Sequence, residues 1–195
     1  MNFRKTLLRL IAGLALSASV LGVEGCASGA RTTQMIASPS MTPTAVGEAG
    51  YKQFRVAKAQ GGSKTNPLWM SNVSNEEFQG ALEASLRAAN YLADQAQDAT
   101  AEITASMIDL KRPMAGLDLS VTTRVRYSAM DVKSGAAVFD DTVAATGTAT
   151  VGDALIAVER LRLANEASVK ANIESFIQRL RESLKSKPLT TAKIE

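Results

Sequence analysis

The spacing of apolar and polar positions divides the chain into a short series of elements. Between Tyr51 and Ala59, Phe54 and Val56 stand among polar residues and predict a short first strand. Ser74-Asn75-Glu76-Glu77 is a capping box, with Ser74 as N-cap, Glu77 three residues on, and Val73 placed to close onto Phe78. Phe78, Leu82, Leu86, Ala89 and Ala93 then recur at helical spacing and predict one core-facing stripe. Alternation replaces that period from Ala101, where Ile103, Ala105 and Met107 interleave with Glu102, Thr104 and Ser106. After Lys111-Arg112-Pro113 the alternation becomes longer. Leu117 through Ala129 mark one face at every second position, against Asp118, Ser120, Thr122, Arg124, Arg126 and Ser128 on the other. This predicts a long strand with one buried and one wet face. Asp131–Gly135 reads as a hairpin turn, with 137–150 returning antiparallel. A last helix is expected from about Asp153 to Lys185, carried by Val169, Ile173, Phe176, Leu180 and Leu184 and stopped by Pro188. The predicted class is α+β: a mainly antiparallel four-stranded sheet with two helices on one face, in the order β-α-β-β-β-α. The domain is placed at residues 49–187, with 188–195 as a loose tail.

The front of the chain has a different logic. Arg4, Lys5 and Arg9 precede an apolar run from Leu10 to Val23, which ends at the small residues Gly25-Cys26-Ala27-Ser28. A positive start, a run too short for a comfortable bilayer span and a small-residue boundary together make an export signal over residues 1–25. Here the chain resembles bacterial lipoprotein precursors, with Val23-Glu24-Gly25-Cys26 in the place of the lipobox. That resemblance implies that Cys26 receives a diacylglycerol and an N-acyl chain and becomes the new N-terminus. Glu24 stands where a small or apolar residue is usual, so cleavage by ordinary signal peptidase after Ala27 or Ala30 is the alternative. Ala27, rather than Asp, implies by resemblance to enteric lipoproteins a final place in the outer membrane, facing the periplasm. Residues 26–48, rich in Ser, Thr, Ala, Gly and Pro, are expected to be a flexible tether reaching about 26 Å.

Composition narrows the chemistry. Among 195 residues there is no histidine and one cysteine. A Ser-His-Asp or Cys-His nucleophile, a His-ligated metal site and an internal disulfide are therefore excluded. The formal charge is +3 and the pI about 9.1, which invites a nucleic-acid reading. Arg4, Lys5, Arg9 and Glu24 leave with the signal, however, and the remainder is almost neutral. With aromatics at 5% and charges alternating in sign, no nucleic acid is expected as a partner.

No catalytic set emerges. Asp140 and Asp141 are neighbours on a strand and point to opposite faces. Asp109 and Asp118 flank the Pro113 turn and could approach across it, while Ser63-Lys64 lacks a strained elbow. Gly62-Ser63-Lys64-Thr65 has the wrong spacing for a phosphate loop. Asn165 and Asn172 are seven apart on one face of the last helix, where they serve as buried backbone satisfiers or as ligand contacts. Arg160 and Arg162 read as a solvated, Glu-paired surface. Arg124 and Arg126 on the wet sheet face, with Lys64 and Asn66 in the 61–67 loop, complete the binding candidates. No catalytic residue and no metal ligand is assigned, and the acyl chains on Cys26 are the only cofactor-like groups expected.

Three stretches carry a resemblance: Gly61-Gly62-Ser63-Lys64-Thr65-Asn66-Pro67, Gly116-Leu117-Asp118 leading into Val125-Arg126-Tyr127, and Arg160-Leu161-Arg162-Leu163-Ala164-Asn165-Glu166. With Phe176, they resemble a group of small proteobacterial envelope lipoproteins similar to the YajG family. The resemblance implies an outer-membrane-anchored α+β domain with no enzymatic site. The expected function is non-enzymatic binding or scaffolding for an envelope assembly whose partner proteins are unidentified. A small-ligand or lipid-binding accessory of a transport system is the alternative. An enzyme using Asp109, Asp118 or Lys64 is the third reading.

Overall fold

A computed structural model describes residues 28–38, 42–64, 71–112, 116–187 and 189. In chain order the elements are α1 (Thr32–Met35), β1 (Phe54–Val56), α2 (Asn75–Ala88), a 3-10 turn (Ala96–Asp98), β2 (Ala101–Lys111), β3 (Leu119–Asp131), β4 (Ala137–Ala149) and α3 (Ala157–Ser186). The strands form one sheet in the order β1-β2-β3-β4. β2, β3 and β4 are antiparallel neighbours, while β1 lies parallel to β2 with Phe54 opposite Ala101. The sheet is thus mixed at one edge, and the expected β-α-β-β-β-α order is observed after an additional short helix, α1.

Local signals explain where the elements start. Ser74 accepts from the Glu77 amide while the Glu77 carboxylate accepts from the Ser74 amide, closing the capping box. Val73 and Phe78 are both buried in the core behind it. Asp131 accepts from the Lys133 and Ser134 amides and the Ser134 hydroxyl, tying the β3–β4 hairpin. Those bonds hold its carboxyl below the usual aspartate range.

α3 runs back along β4: Ser168 lies beside Gly147, the Asn172 amide reaches Val143, and the Ser183 hydroxyl donates to the Val138 carbonyl. Its thirty residues span about 45 Å, close to the length of the strand beneath it. The core between them centres on Tyr127, whose ring stacks on Phe176 at 3.9 Å between centroids, with Phe139 edge-on to Phe176 at 5.4 Å.

Three expectations are corrected. The first concerns the tether. Residues 28–38 and 42–48 are not a free linker before a domain starting at 49. Ala30, Met35, Ala37 and Thr44 are buried, and α1 packs against α2 and α3. A stretch of small polar residues shows no periodicity, yet it can be held by bonds to distant side chains, as it is here. The second concerns Leu117, which is 77% exposed because β3 begins only at Leu119. The third concerns Arg160 and Arg162, which are buried rather than solvated. The Arg160 guanidinium donates to the carbonyls of Ala154 and Leu155, both at 2.8 Å, and Arg162 engages Glu159 and Glu166. Long arginine stems pack against apolar neighbours while their heads find buried acceptors. The signal segment, Asn66 and the end of the expected tail lie outside the described residues.

Candidate functional site

The sheet has one face that carries α3 and one that no helix covers among the described residues. On the uncovered face, Ser120 and Thr148, and Thr122 and Thr146, share hydroxyl hydrogen bonds of 2.8 Å across β3 and β4. Further along the same face, toward the β3–β4 hairpin and the β1 edge, lie ion pairs. Arg126 grips Asp140 through two bonds of 3.0 and 2.8 Å, Arg124 reaches Asp109 at 3.4 Å, and Arg55 meets Glu102 at 2.7 Å. Arg124 and Arg126 are therefore not spare cations waiting for an anion. Their carboxylate partners come from neighbouring strands, which the alternation alone does not bring into register. The Asp140 carboxyl is held below its ordinary value by the Arg126 bond. Such exposed pairs add little stability, but they make the face hydrophilic and locally neutral.

At one border of this face a bulge interrupts β2. The β2–β3 register shifts between Met107 and Asp109, leaving Ile108 as the extra residue with 51% exposure. Beside it lies a cleft of about 360 Å³ lined by Gly61, Ser63, Asn72, Asp109 and Arg112 among others. Asp109 Oδ2 accepts from Arg124, whereas its Oδ1 is buried without a hydrogen-bond partner among the described residues. Arg112 reaches the Asn72 side chain, and burial pushes its guanidinium pKa down. Lys64 is exposed nearby, its backbone carbonyl accepting from Asn72 at 2.8 Å. Gly61 is required for fit rather than for a ligand: it has φ +83°, and a Cβ there would fall 1.9 Å from the Met107 carbonyl oxygen. Asp118, by contrast, sits in an exposed bend beyond the start of β3. It is six residues along from Arg124, the register partner of Asp109, or about 20 Å of extended chain. The two carboxylates do not converge.

Asn165 and Asn172 are core residues, both fully buried. Asn165 donates to the Ser71 carbonyl at 2.9 Å. Asn172 donates to the carbonyls of Thr123 and Val143 and accepts from the Tyr127 hydroxyl at 2.9 Å. Both amides thus donate to buried backbone carbonyls, while Asn165 Oδ1 is buried without a hydrogen-bond partner among the described residues. Burial also drives the Tyr127 phenol well above the usual tyrosine range, keeping it a neutral donor.

Glu166 closes the Arg160–Glu166 stretch, where the sequence assigns it no role of its own, yet it organises the N-terminal side of the domain. Its side chain is 4% exposed. Oε1 accepts from the Arg31 amide at 2.9 Å and from Arg31 Nε at 3.0 Å, Oε2 accepts from Arg31 Nη2 at 3.2 Å, and Arg162 approaches from the same helix at 3.5 Å. The Glu166 bond raises the Arg31 pKa, and the Arg162 bond lowers that of Glu159. Hydrogen bonds to a charged group contribute about 1.5–3 kcal/mol. Glu166→Ala should therefore free the 28–38 segment and speed trypsin cleavage after Arg31 by about tenfold or more. Limited digestion followed by mass spectrometry measures this, and an unchanged rate at Arg31 would refute the clamp.

Comparison with known proteins adds a fold likeness. No protein-family model matches the sequence, and no curated protein matches it, so the YajG-like resemblance gains no family-level support. Among solved structures, a protein from Xanthomonas campestris of the DUF330 family superimposes with a TM-score of 0.55 at 10% identity, covering 77% of this chain and 96% of its own. A candidate lipoprotein from Caulobacter crescentus gives a TM-score of 0.50 at 14% identity, covering 71% and 94%. At such identities the likeness speaks for the fold.

Proposed function

We propose that this chain is a lipid-anchored bacterial envelope protein, acylated on Cys26 and held at the periplasmic face of the outer membrane, whose domain binds a protein partner instead of catalysing a reaction. The observation that carries the anchor is the placement of the single cysteine immediately after the apolar export run. The fold likeness to a candidate lipoprotein from Caulobacter crescentus supports the same reading. Two acyl chains or more give firm attachment, since each buried CH₂ contributes about 0.8 kcal/mol.

The binding surface is the uncovered sheet face. Its hydroxyl rungs and paired charges suit hydrogen bonding to a polar protein surface, and its carboxylates serve as partners to arginines. A second reading, binding of a small apolar ligand, is favoured by one cleft of about 380 Å³. That cleft is lined by Pro43, Ala49, Tyr91, Arg181 and Leu184, at the end of the domain away from Gly147. It lies far from Arg124 and Asn165, where the sequence-based version of that reading expects an opening.

Cys26→Ser should move the protein from the membrane to the soluble periplasmic fraction and abolish palmitate labelling. A variant that stays membrane-bound would refute the anchor. A photo-crosslinker at Thr122, on the uncovered face, should trap a protein in the native envelope. Absence of any adduct above that from a crosslinker at Lys185 would refute this face as the binding surface.

A further inference from the structure

The packed segment 28–38 fixes which end of the domain meets the membrane. The Ser38 amide is held by Glu174 Oε1 at 2.7 Å, and Arg31 is held by Glu166. Read backwards from Ser38 to Arg31, the chain travels eight residues along α3, about 12 Å, toward the N-terminus of that helix. The Ala30 amide then donates to the Asn72 carbonyl, and Asn72 in turn meets Arg112 at the end of β2. Ser28 is the first described residue. Cys26 is two residues earlier, so covalent geometry keeps it within about 7 Å of Ser28.

At this same end the structure exposes apolar side chains. Leu119 pairs with Ala149, so the residues just beyond them, Leu117 and Val151, leave the sheet together. Their exposures are 77% and 37%, and the loop leading into α3 adds Leu155 at 85% and Ile156 at 52%. The loop is held in shape: Asp153 accepts from the Thr150 amide and hydroxyl, and the buried Arg160 head clasps the carbonyls of Ala154 and Leu155. A rigid loop presenting adjacent large apolar side chains to water needs an apolar partner.

We propose that this loop edge, with Leu155 and Ile156 at its tip and Leu117 and Val151 beside it, docks into the lipid bilayer interface next to the acylated Cys26. The proposal rests on the lipoprotein reading above. The occupant is lipid because the short connection to Cys26 brings this end, and not the Val132 hairpin end, to the bilayer. Docking at a second point stops the domain from swivelling about its anchor. It leaves the uncovered sheet face standing beside the membrane, open to partners.

The test exploits the sequence. Cys26 is the only cysteine, and acylation blocks its thiol, so Leu155→Cys creates a unique site for an environment-sensitive fluorophore. Val132→Cys, at the opposite end, is the control. The full mature chain is placed in vesicles of phosphatidylethanolamine and phosphatidylglycerol containing brominated phosphatidylcholine. The label at 155 should shift to the blue, be quenched by the brominated lipid and lose quenching by aqueous iodide, while the label at 132 does the reverse. Iodide quenching at 155 equal to that at 132 overturns the proposal. Shielding from iodide without lipid quenching also overturns it and points to a second copy of the chain as occupant. The acyl mass on Cys26 is measured in parallel and tests the lipoprotein reading separately. Should Cys26 prove free, the Cys26→Ser, Leu155→Cys chain is mixed with the same vesicles. Lipid quenching there still supports the edge, and its absence overturns it.

Discussion

Gly147→Ala is expected to destabilise the domain by about 3 kcal/mol or more, enough to leave little folded protein if its stability is ordinary. A Cβ at Gly147 would lie 2.2 Å from the Ser168 amide nitrogen, 2.7 Å from the Ala164 carbonyl oxygen and 2.7 Å from the Ala167 carbonyl carbon. All three are backbone atoms of α3, so no rotamer change relieves the overlap. The helix must rise off β4, and Val169 and Ile173 with it. Gly152→Ala is the matched control, because its added Cβ meets only the Thr150 side chain at 3.4 Å. It should change stability by less than about 0.5 kcal/mol. Urea denaturation of the unlipidated mature chain compares the two, and a Gly147→Ala variant within about 1 kcal/mol of the parent would show that helix and strand are not in such close contact.

Asn172→Leu is the second large effect, at about 2–4 kcal/mol of lost stability. Leucine keeps the heavy-atom count and branching but is bulkier, so the loss combines the missing hydrogen bonds with some crowding. The amide donates to two strand carbonyls, on β3 and β4, and accepts from the Tyr127 hydroxyl, all of it out of contact with water. Tyr127→Phe alone should cost about 1 kcal/mol. In the double variant the hydroxyl no longer needs an acceptor, so the combined loss should be smaller than the sum of the two single losses. Strict additivity would mean that the two side chains are not coupled. Denaturation curves of the four chains supply the cycle.

These residues show what a linear reading reaches. The capping box at Ser74, the alternation through β2 and β3 and the stripe on α3 were legible because each is a local signal with a period set by backbone geometry. The seven-residue spacing of Asn165 and Asn172 marked them as unusual, and both are seen to donate to buried backbone carbonyls. The ion pairs of Arg124 and Arg126 needed a strand register, since Asp140 is fourteen residues from Arg126. The packing of residues 28–38 was hidden for a stronger reason. Its partners are Ser85, Glu166 and Glu174, and nothing in an Ala-, Ser- and Thr-rich stretch announces a carboxylate more than a hundred residues away.

The Arg31–Glu166 and Ser38–Glu174 contacts, 135 and 136 residues apart in sequence, also set an order of assembly. A loop of that length closes only after its ends have formed. A chain that emerges N-terminus first therefore has its leading segment held only through Asn72, Glu77 and Ser85 until the final helix supplies Glu166 and Glu174. The end nearest Cys26 gains its carboxylate clasps last, and a chain truncated before Glu166 would keep only the contacts to Asn72, Glu77 and Ser85.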